Sequence, residues 1–166
     1  MNLTFILIII TSTLGGQNNI NHVTDSDSLN VNTLNFPNDF LWGTATAAHQ
    51  VEGNCVNNNW SNWETSPSSH DYSFLHSKQP AGIACDHWKR YPEDIRLMSE
   101  LGVNAYRFSV EWSKIEPEQG KFSQNALAHY SMVIDSLITQ GITPMITLHH
   151  FTNPIWFEKL GAFERQ

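Results

Sequence analysis

The sequence predicts an α/β fold built on parallel β-strands. Short apolar runs alternate along the chain with segments whose apolar residues recur at helical spacing. Such alternation is typical of parallel strands joined by crossover helices, as in doubly wound sheets and in barrels. Polar side chains gather where the runs end, at Gln50, Glu111 and His149-His150, and this rim carries the active site of a barrel. No Gly-x-Gly-x-x-Gly follows any run, so a dinucleotide site has no support.

The first predicted strand and the loop after it lie in the first half of the chain. Residues 40–48 are apolar and small, as in a buried strand. Residues 54–83 show no sustained period and are rich in Asn and Ser. We therefore predict a long loop over this range, of a length that is uncommon without a function.

Two helices and two further strands are predicted in the second half. Pro92-Glu93-Asp94 suits the start of a helix, and Gly102 suits its end. A second helix is predicted over 125–140, where the apolar residues form a stripe with a period of 3.6 residues before a glycine. The apolar run over 104–110 is predicted to be a buried strand, and the run over 143–148 a third strand.

Residues 1–16 are predicted to be a secretory signal peptide, and residues 17–35 a flexible polar leader. The apolar run over 3–10 is too short to span a bilayer, which takes ~20 apolar residues. Small residues around Gly15 and Gly16 suit a cleavage site, although no Lys or Arg precedes the run. An uncleaved anchor is the alternative. The signal peptide predicts a secreted protein, extracellular or lumenal.

The composition is that of an acidic globular protein. There are 16 Asp+Glu against 9 Lys+Arg, for a net charge of −7, and no Lys/Arg-rich run occurs. These features argue against binding to nucleic acid or to an anionic membrane. The 6 Trp, 9 Phe and 4 Tyr suit the flat faces of sugars, and they suit core packing equally well.

Cys55 and Cys85 lie near the two ends of the predicted loop. In a secreted chain an even number of cysteines permits a disulfide, worth roughly 2–4 kcal/mol, and two free thiols are the alternative. Neither cysteine belongs to a Cys-x-x-Cys or His-x-x-x-His set, so no metal site is predicted. Asn59-Trp60-Ser61 is an N-glycosylation sequon, which predicts a surface loop there.

Four side chains form the candidate sugar-binding set: Gln50, Arg107, His150 and Phe151. The Gln50 amide both donates and accepts, which suits neighbouring hydroxyls, while His150 adds a donor and Phe151 a ring. A buried Arg107 inside an apolar strand is costly without a carboxylate, so we expect it to hold an acidic partner ionised. Each has a structural alternative: a rim hydrogen bond, strand-end packing or a structural ion pair. Their equivalent strand positions favour one shared site.

Four segments resemble the motifs of family 1 glycoside hydrolases, the β-glucosidase type. They are Phe-Pro-Asn-Asp-Phe-Leu-Trp-Gly-Thr-Ala-Thr-Ala-Ala-His-Gln-Val-Glu-Gly (36–53), Cys-Asp-His-Trp-Lys-Arg-Tyr-Pro-Glu-Asp-Ile (85–95), Tyr-Arg-Phe-Ser-Val-Glu-Trp-Ser-Lys-Ile-Glu-Pro (106–117) and Thr-Leu-His-His-Phe-Thr-Asn-Pro (147–154). The resemblance runs through residues 36–163. It implies that residues 36–166 are the N-terminal part, about three βα units, of a (β/α)8 TIM barrel. It also implies cleavage of β-linked glycosides with retention and without a cofactor.

Position by position, the resemblance implies that Gln50 and His150 bind hydroxyls of the glycone sugar. Phe151 lies where the family usually has Trp at the wall of the sugar site. Arg107 matches the Arg that contacts the nucleophilic carboxylate.

Two departures from the family pattern stand out. Lys114 occupies a position where Arg is commoner, and we expect no effect on the site. Thr152-Asn153-Pro154 replaces the frequent Asp-Leu-Pro. We expect this second departure to alter the loop and the aglycone preference.

Neither catalytic carboxylate that the resemblance implies is present in the chain. Retaining glycosidases use two carboxylates about 5–5.5 Å apart, which the family carries in an Asn-Glu-Pro motif after the fourth strand and a Glu-Asn-Gly motif after the seventh. The Glu116-Pro117 pair follows Ile115 and comes after the second strand. We interpret Glu52, Glu111 and Glu116 as structural residues.

The sequence therefore predicts part of a secreted β-glycosidase whose partner is a β-glycoside or oligosaccharide. The chain by itself is expected to be inactive and poorly folded, because three barrel strands leave an open edge. A non-catalytic sugar-binding or co-receptor protein of the same fold is the alternative, although Arg107 has little purpose without its carboxylate partner. A membrane-anchored interaction module is a third hypothesis, which requires that residues 3–14 stay uncleaved.

Overall fold

The computed structural model describes residues 35–65 and 80–164. Within these ranges the chain forms, in order, β1 (Gly43–Ala45), α1 (Ala48–Val51), α2 (Asn59–Thr65), α3 (His87–Leu101), β2 (Ala105–Ser109), α4 (Trp112–Ile115), α5 (Gln124–Thr139), β3 (Thr143–Thr147), α6 (Ile155–Lys159) and a 3-10 turn (Ala162–Glu164). The predicted signal peptide (1–16) lies outside the described residues, as does the predicted leader (17–35) except for Asn35. Within the described ranges, no helix has both the length and the apolar character needed to cross a membrane.

The three strands form one parallel sheet in the order β1-β2-β3. Gly43 pairs with Ala105, and Ala105 pairs with Thr143, so all three strands begin at the same level. Helix α3 lies between β1 and β2 in the chain, and α5 lies between β2 and β3. The predicted α/β fold with parallel strands is therefore confirmed.

The hydrophobic core lies between one face of the sheet and helices α3 and α5. Side chains alternate between the two faces of a strand, and Tyr106 and Phe108 of β2 are both buried in this core. The cluster consists of Ile95, Met98, Tyr106, Phe108, Tyr130, Val133, Leu137 and Ile142. On the opposite face of β2, Arg107 is exposed, whereas Ala105 and Ser109 are buried.

Helix α5 agrees with the prediction to within one residue at each end. Its buried residues follow the apolar stripe and are Ala126, Tyr130, Val133 and Leu137. Two members of the predicted stripe, Leu127 and Ile138, lie at its margins and are exposed. Gly102 and Gly141 end the two long helices as predicted, with φ of +81° and +72°, a conformation that glycine adopts without steric cost.

Helix α3 begins at His87, five residues before the predicted start, so Pro92 lies inside it. Proline has no N–H, and the carbonyl of Trp88 therefore lacks its helical partner. Tertiary contacts stabilise the additional turn. Trp88 N donates to Glu52 O at 3.1 Å, and the Trp88 ring stacks on His129 with 3.7 Å between centroids.

The first strand is shorter than predicted, and the predicted loop after it contains a helix. Only Gly43–Ala45 pairs in the sheet, because Ala48 N donates to Ser109 Oγ at 2.8 Å and the chain turns into α1. Within residues 54–83, α2 follows Asn58, whose Oδ1 accepts from Ser61 N at 2.8 Å. Asn is common both at the start of helices and in loops, so the Asn-rich composition did not distinguish a helix from a loop.

Candidate functional site

The carboxyl ends of the three parallel strands lie at one edge of the sheet, which we call the rim. Here Ala45 pairs with Arg107, and Ser109 pairs with Thr147. Helix α1 follows β1 at this edge, and residues 148–154 follow β3. The rim therefore carries the predicted sugar-binding residues, with Arg107 two residues before the end of β2.

Gln50 lies in α1 and is exposed. It thus lies beyond the predicted first strand, in a single helical turn formed by Ala48–Val51. The side-chain amide of Gln50 makes no hydrogen bond to any residue in 35–65 or 80–164. Its donor and its acceptor are therefore both available to a ligand.

His150 and Phe151 lie in a tight turn after β3. Thr152 N donates to His150 O at 2.9 Å, and Phe151 between them has a φ of +64°. Their rings meet edge to face, 5.0 Å apart. Phe151 is 67% exposed, and the His150 imidazole has no hydrogen-bond partner among the described residues. The neighbouring His149 instead contacts Asn153 Oδ1 at 2.9 Å, so only one of the two histidines is available.

Arg107 is exposed, so the prediction that it is buried is wrong, while its acidic partner stays a prediction. It lies between Tyr106 and Phe108, and strand alternation places it on the face away from the core. Its Nε donates to Thr147 Oγ1 at 3.0 Å, and no carboxylate within the described residues forms an ion pair with it. The terminal guanidinium nitrogens thus have no hydrogen-bond partner in the part of the chain that the structure describes.

The loops after β1 and β3 are joined to each other. Asn59 N donates to Asn153 O at 3.0 Å, and Asn153 N donates back to Asn59 Oδ1 at 2.8 Å. Asn58 and Pro154 form an antiparallel bridge, and Asn59 Nδ2 donates to Phe151 O at 3.4 Å. The segment that carries Phe151 is therefore attached to the segment that follows Gln50.

A buried ion pair lies beneath the rim. Lys114 Nζ donates to Glu52 Oε2 at 2.9 Å and to Gly53 O at 3.0 Å, and it lies 4.1 Å from the centre of the Trp88 ring. Tyr130 Oη donates to Glu52 Oε1 at 2.7 Å. Burial raises the pKa of Glu52, and Lys114 partly opposes that shift. Lys114 therefore supplies a cation beneath α1, although Arg is commoner at this position in the family.

His49, Cys55 and Glu111 place one potential ligand atom each within 4.8 Å of one another, and all three are buried. The spacing of the sequence did not indicate this cluster. The Asn58 amide nitrogen lies 3.2 Å from His49 Nδ1 and 3.3 Å from Glu111 Oε1, so a hydrogen-bond donor already joins them. Burial raises the pKa of the Cys55 thiol to about 12, whereas the thiolate is the form that binds metals. The cluster is therefore a hydrogen-bonded unit.

The predicted disulfide is not formed. Cys55 is buried, with its thiol directed to Ala48 O at 3.8 Å and Gly53 O at 3.7 Å, whereas Cys85 is exposed. The α1 turn draws the first thiol beneath the rim and away from the surface on which the second lies. The alternative of two free thiols therefore describes the structure.

The sequon residue Asn59 is the first residue of α2 and does not lie in a loop. Its amide nitrogen, to which a glycan would be attached, donates to Phe151 O at 3.4 Å. A glycan at this atom would crowd the junction between the two rim loops. Glycosylation of Asn59 stays a prediction.

Comparison with known proteins identifies the family. The family model of glycosyl hydrolase family 1 matches residues 32–166. The chain belongs to this family. β-Glucosidase A of Thermotoga maritima is 39% identical over 136 residues, which cover 80% of this chain and 30% of that protein. A protein of Oryza sativa subsp. japonica named probable inactive β-glucosidase 14 is 40% identical over 128 residues, or 75% of this chain and 24% of that protein.

Solved structures of family 1 agree with the fold. A β-glycosidase from Pyrococcus horikoshii superposes with a TM-score of 0.69 at 49% sequence identity, covering 78% of this chain and 29% of that one. The three parallel strands therefore match the N-terminal part of a family 1 barrel. The chain spans about 30% of the length of its curated relatives.

The three carboxylates that the sequence assigned to structural roles are buried in this family 1 fold. Glu52 is paired with Lys114, and Glu111 accepts hydrogen bonds from Ser113 and Asn58. Glu116 accepts from Trp112 Nε1 at 2.8 Å and from Gly120 N at 2.7 Å. Side chains so occupied are not placed to act on a sugar at the rim.

Several residues that shape the rim were missed by sequence reasoning. They are polar residues whose hydrogen bonds join separate segments of the chain, namely His49, Asn58, Glu64, Tyr130, Thr152 and Asn153. The one signal in the sequence was that Thr152-Asn153 departs from the family pattern. That departure marked the loop that is attached to the loop after β1.

Proposed function

We propose that this chain supplies the glycone-binding part of a retaining β-glycosidase, which cleaves β-linked glycosides once the barrel is complete. The observation that carries the proposal is the set of unpartnered groups at one rim. The Gln50 amide and the His150 imidazole make no hydrogen bonds among the described residues, and Phe151 exposes its ring beside them. Membership of family 1, whose substrates are β-glycosides, supports the assignment.

These groups suit the recognition of a sugar. An amide and an imidazole offer directed donors and acceptors to hydroxyls, and an exposed ring offers a flat apolar surface to the C–H face of a pyranose. The bond-breaking carboxylates are expected from the part of the barrel outside this chain, because the sequence contains neither Asn-Glu-Pro nor Glu-Asn-Gly and Glu52, Glu111 and Glu116 are buried and engaged. The free guanidinium nitrogens of Arg107 would then contact the nucleophile.

The test uses the complete barrel, which we define as the full reading frame of the gene or, in its place, residues 36–164 joined to the remaining barrel of Thermotoga maritima β-glucosidase A. Gln50→Ala should lower kcat/KM for an aryl β-glycoside by about 10- to 100-fold, because it removes two or more hydrogen bonds of about 1 kcal/mol each. Gln119→Ala is the matched control, since Gln119 is exposed in the turn before α5. Equal kcat/KM values for the two variants would count against the role of Gln50.

The 166-residue chain by itself is expected to show no hydrolysis, because the carboxylate pair is absent. The measurement is release of nitrophenol from aryl β-glucosides, galactosides and fucosides by the purified chain. Hydrolysis that disappears on substitution of a single carboxylate within the chain would overturn this expectation.

A non-catalytic sugar-binding protein is the second candidate, and a relative named as probably inactive shows why it must be considered. The two candidates differ in one measurement. A complete barrel that binds glucose or an aryl glycoside in calorimetry without cleaving it would favour the binder, whereas turnover favours the glycosidase.

We further propose that residues 1–16 direct secretion and are removed. N-terminal sequencing of the protein recovered from the medium should then find a start close to residue 17. A product that retains residues 3–14 in the membrane fraction would favour the anchored alternative.

A further inference from the structure

Glu111 is a fully buried carboxylate that contacts both loops of the rim. Its side chain is 0% exposed. Oε1 accepts from Asn58 Nδ2 at 3.3 Å and from Ser113 Oγ at 2.6 Å, while Oε2 accepts from Thr152 Oγ1 at 3.1 Å. Asn58 follows β1 and Thr152 follows β3, so one carboxylate joins the two loops through charge-assisted hydrogen bonds.

Asn58 extends this connection to α1. Its amide nitrogen lies 3.2 Å from His49 Nδ1. Because an amide nitrogen only donates, Nδ1 accepts, and the ring proton is therefore on Nε2, which donates to Glu64 Oε1 at 3.0 Å. Both ring nitrogens of His49 are thus held. His49 directly precedes Gln50, so this contact determines how α1 presents the Gln50 amide.

Thr152 extends the connection to the other loop. Phe151 has a φ of +64°, and Thr152 N donates to His150 O across it, which is the strained form of the γ-turn. Strain of this kind persists only where the surroundings enforce it. The hydroxyl of Thr152, bound to Glu111, anchors the end of the turn.

We propose that Glu111 is a positioning residue that sets the two sugar-contacting loops relative to each other, through Asn58 toward Gln50 and through Thr152 toward His150 and Phe151. The proposal rests on the sugar-binding role assigned above. Glu111 touches no substrate and acts through these neighbours.

The departure from Asp to Thr at position 152 then has a physical reason. An aspartate there would place a second carboxylate against the buried carboxylate of Glu111, and two such groups repel each other. A threonine instead donates its hydroxyl hydrogen to Oε2. The effect of a substitution at position 152 is therefore expected to depend on the residue at position 111.

The test compares five variants of the complete barrel. Thr152→Val removes the hydroxyl and keeps the shape, whereas Thr152→Ser keeps a hydroxyl. Thr152→Asp adds the repelling charge, and the double variant E111Q/T152D replaces the repulsion by an amide donor facing a carboxylate. Thr139→Val is the matched control, because it makes the same change at an exposed residue whose hydroxyl donates to Asp135 O within α5.

Thr152→Val should raise KM by about tenfold or more, since small misplacements of binding groups are costly. Thr152→Asp should raise KM further. The KM values of T152S and E111Q/T152D should lie closer to that of the unaltered protein. Hydrogen exchange should accelerate in residues 148–154 and also across the junction in residues 46–52. Thr139→Val should leave KM within about twofold.

The outcomes separate the two proposals. An active barrel in which T152V and T152D match the unaltered KM, or in which T139V raises KM as much as they do, overturns the positioning role and leaves the glycosidase proposal intact. A barrel that neither binds nor cleaves glycosides overturns the proposed function. In that case hydrogen exchange still decides the coupling, because acceleration confined to residues 148–154 would show that the two loops are independent.

Discussion

Glu52 and Lys114 show how a charged residue is accommodated under the rim. Glu52 is 3% exposed, and its carboxylate is met by Lys114 and by the Tyr130 hydroxyl. Burial nevertheless dominates and raises the pKa of Glu52 above its ordinary value. The folded state therefore binds a proton at Glu52 more tightly than the unfolded chain does.

This shift predicts a pH dependence of stability in the complete barrel. A raised pKa contributes stability that is fully present below the unfolded value, near 4.5, and that is lost as the pH rises through the folded value. The difference in thermal midpoint between the unaltered protein and Glu52→Gln should therefore decrease as the pH rises from about 4 to 7. Glu118→Gln, which removes a carboxylate at an exposed position, is the control. A difference that increases with pH would show that Lys114 outweighs burial.

At the scale of elements, a close backbone approach positions α1. Asn54 N donates to Gly82 O at 2.7 Å just after α1. Gly53 has a φ of +84°, and a Cβ atom placed there would overlap Ile83 O. The residues that precede α3 therefore lie directly against the end of α1, and only glycine fits at the contact.

Gly53→Ala is expected to destabilise the protein much more than Gly141→Ala. Both glycines have positive φ, which costs an alanine about 1 kcal/mol. A methyl group added at Gly141 would meet no atom within 4 Å, whereas one added at Gly53 would face a carbonyl that cannot move aside. The overlap should add about 1–3 kcal/mol, measured by chemical unfolding of the complete barrel. Equal losses for the two variants would mean that the approach at Ile83 relaxes freely.

At the scale of the whole molecule, the sheet ends in an uncovered strand. β3 pairs with β2 on one side only within the described residues. Ile146 is 42% exposed, and Leu148 is 78% exposed. An edge strand with apolar side chains is a template for association with other chains. In a family 1 barrel the following strands would cover this edge.

The 166-residue chain alone is therefore expected to self-associate. Ile146→Lys together with Leu148→Lys should shift it toward the monomer in sedimentation velocity, because charges on an edge oppose pairing. Leu101→Lys together with Phe122→Lys is the control, since these residues are exposed away from the edge strand. A monomeric unaltered chain, or equal effects of the two pairs, would contradict a role for the β3 edge.

Local patterns predicted the elements that are long or uniform. Helix α5 has enough turns for its apolar stripe to be unambiguous, and β2 and β3 lie within continuous apolar runs. The short helices α1 and α4 have 4 residues each, and α2 has 7. Segments of this length show no readable period, so their existence depended on contacts such as those of Asn58 and Ser109.

The sequence by itself determined the family and the parallel α/β order, and it predicted Gln50, His150 and Phe151 as sugar-binding residues, because these follow from motifs and periodicity within short segments. Only the tertiary structure decided that Arg107 is exposed, that Cys55 and Cys85 stay apart, and that Glu111 connects two loops. The physical reason is that strand register and the α1 turn choose which distant side chains meet. A local pattern shows whether a segment is a helix or a strand, but it does not show which distant segment that helix or strand will contact.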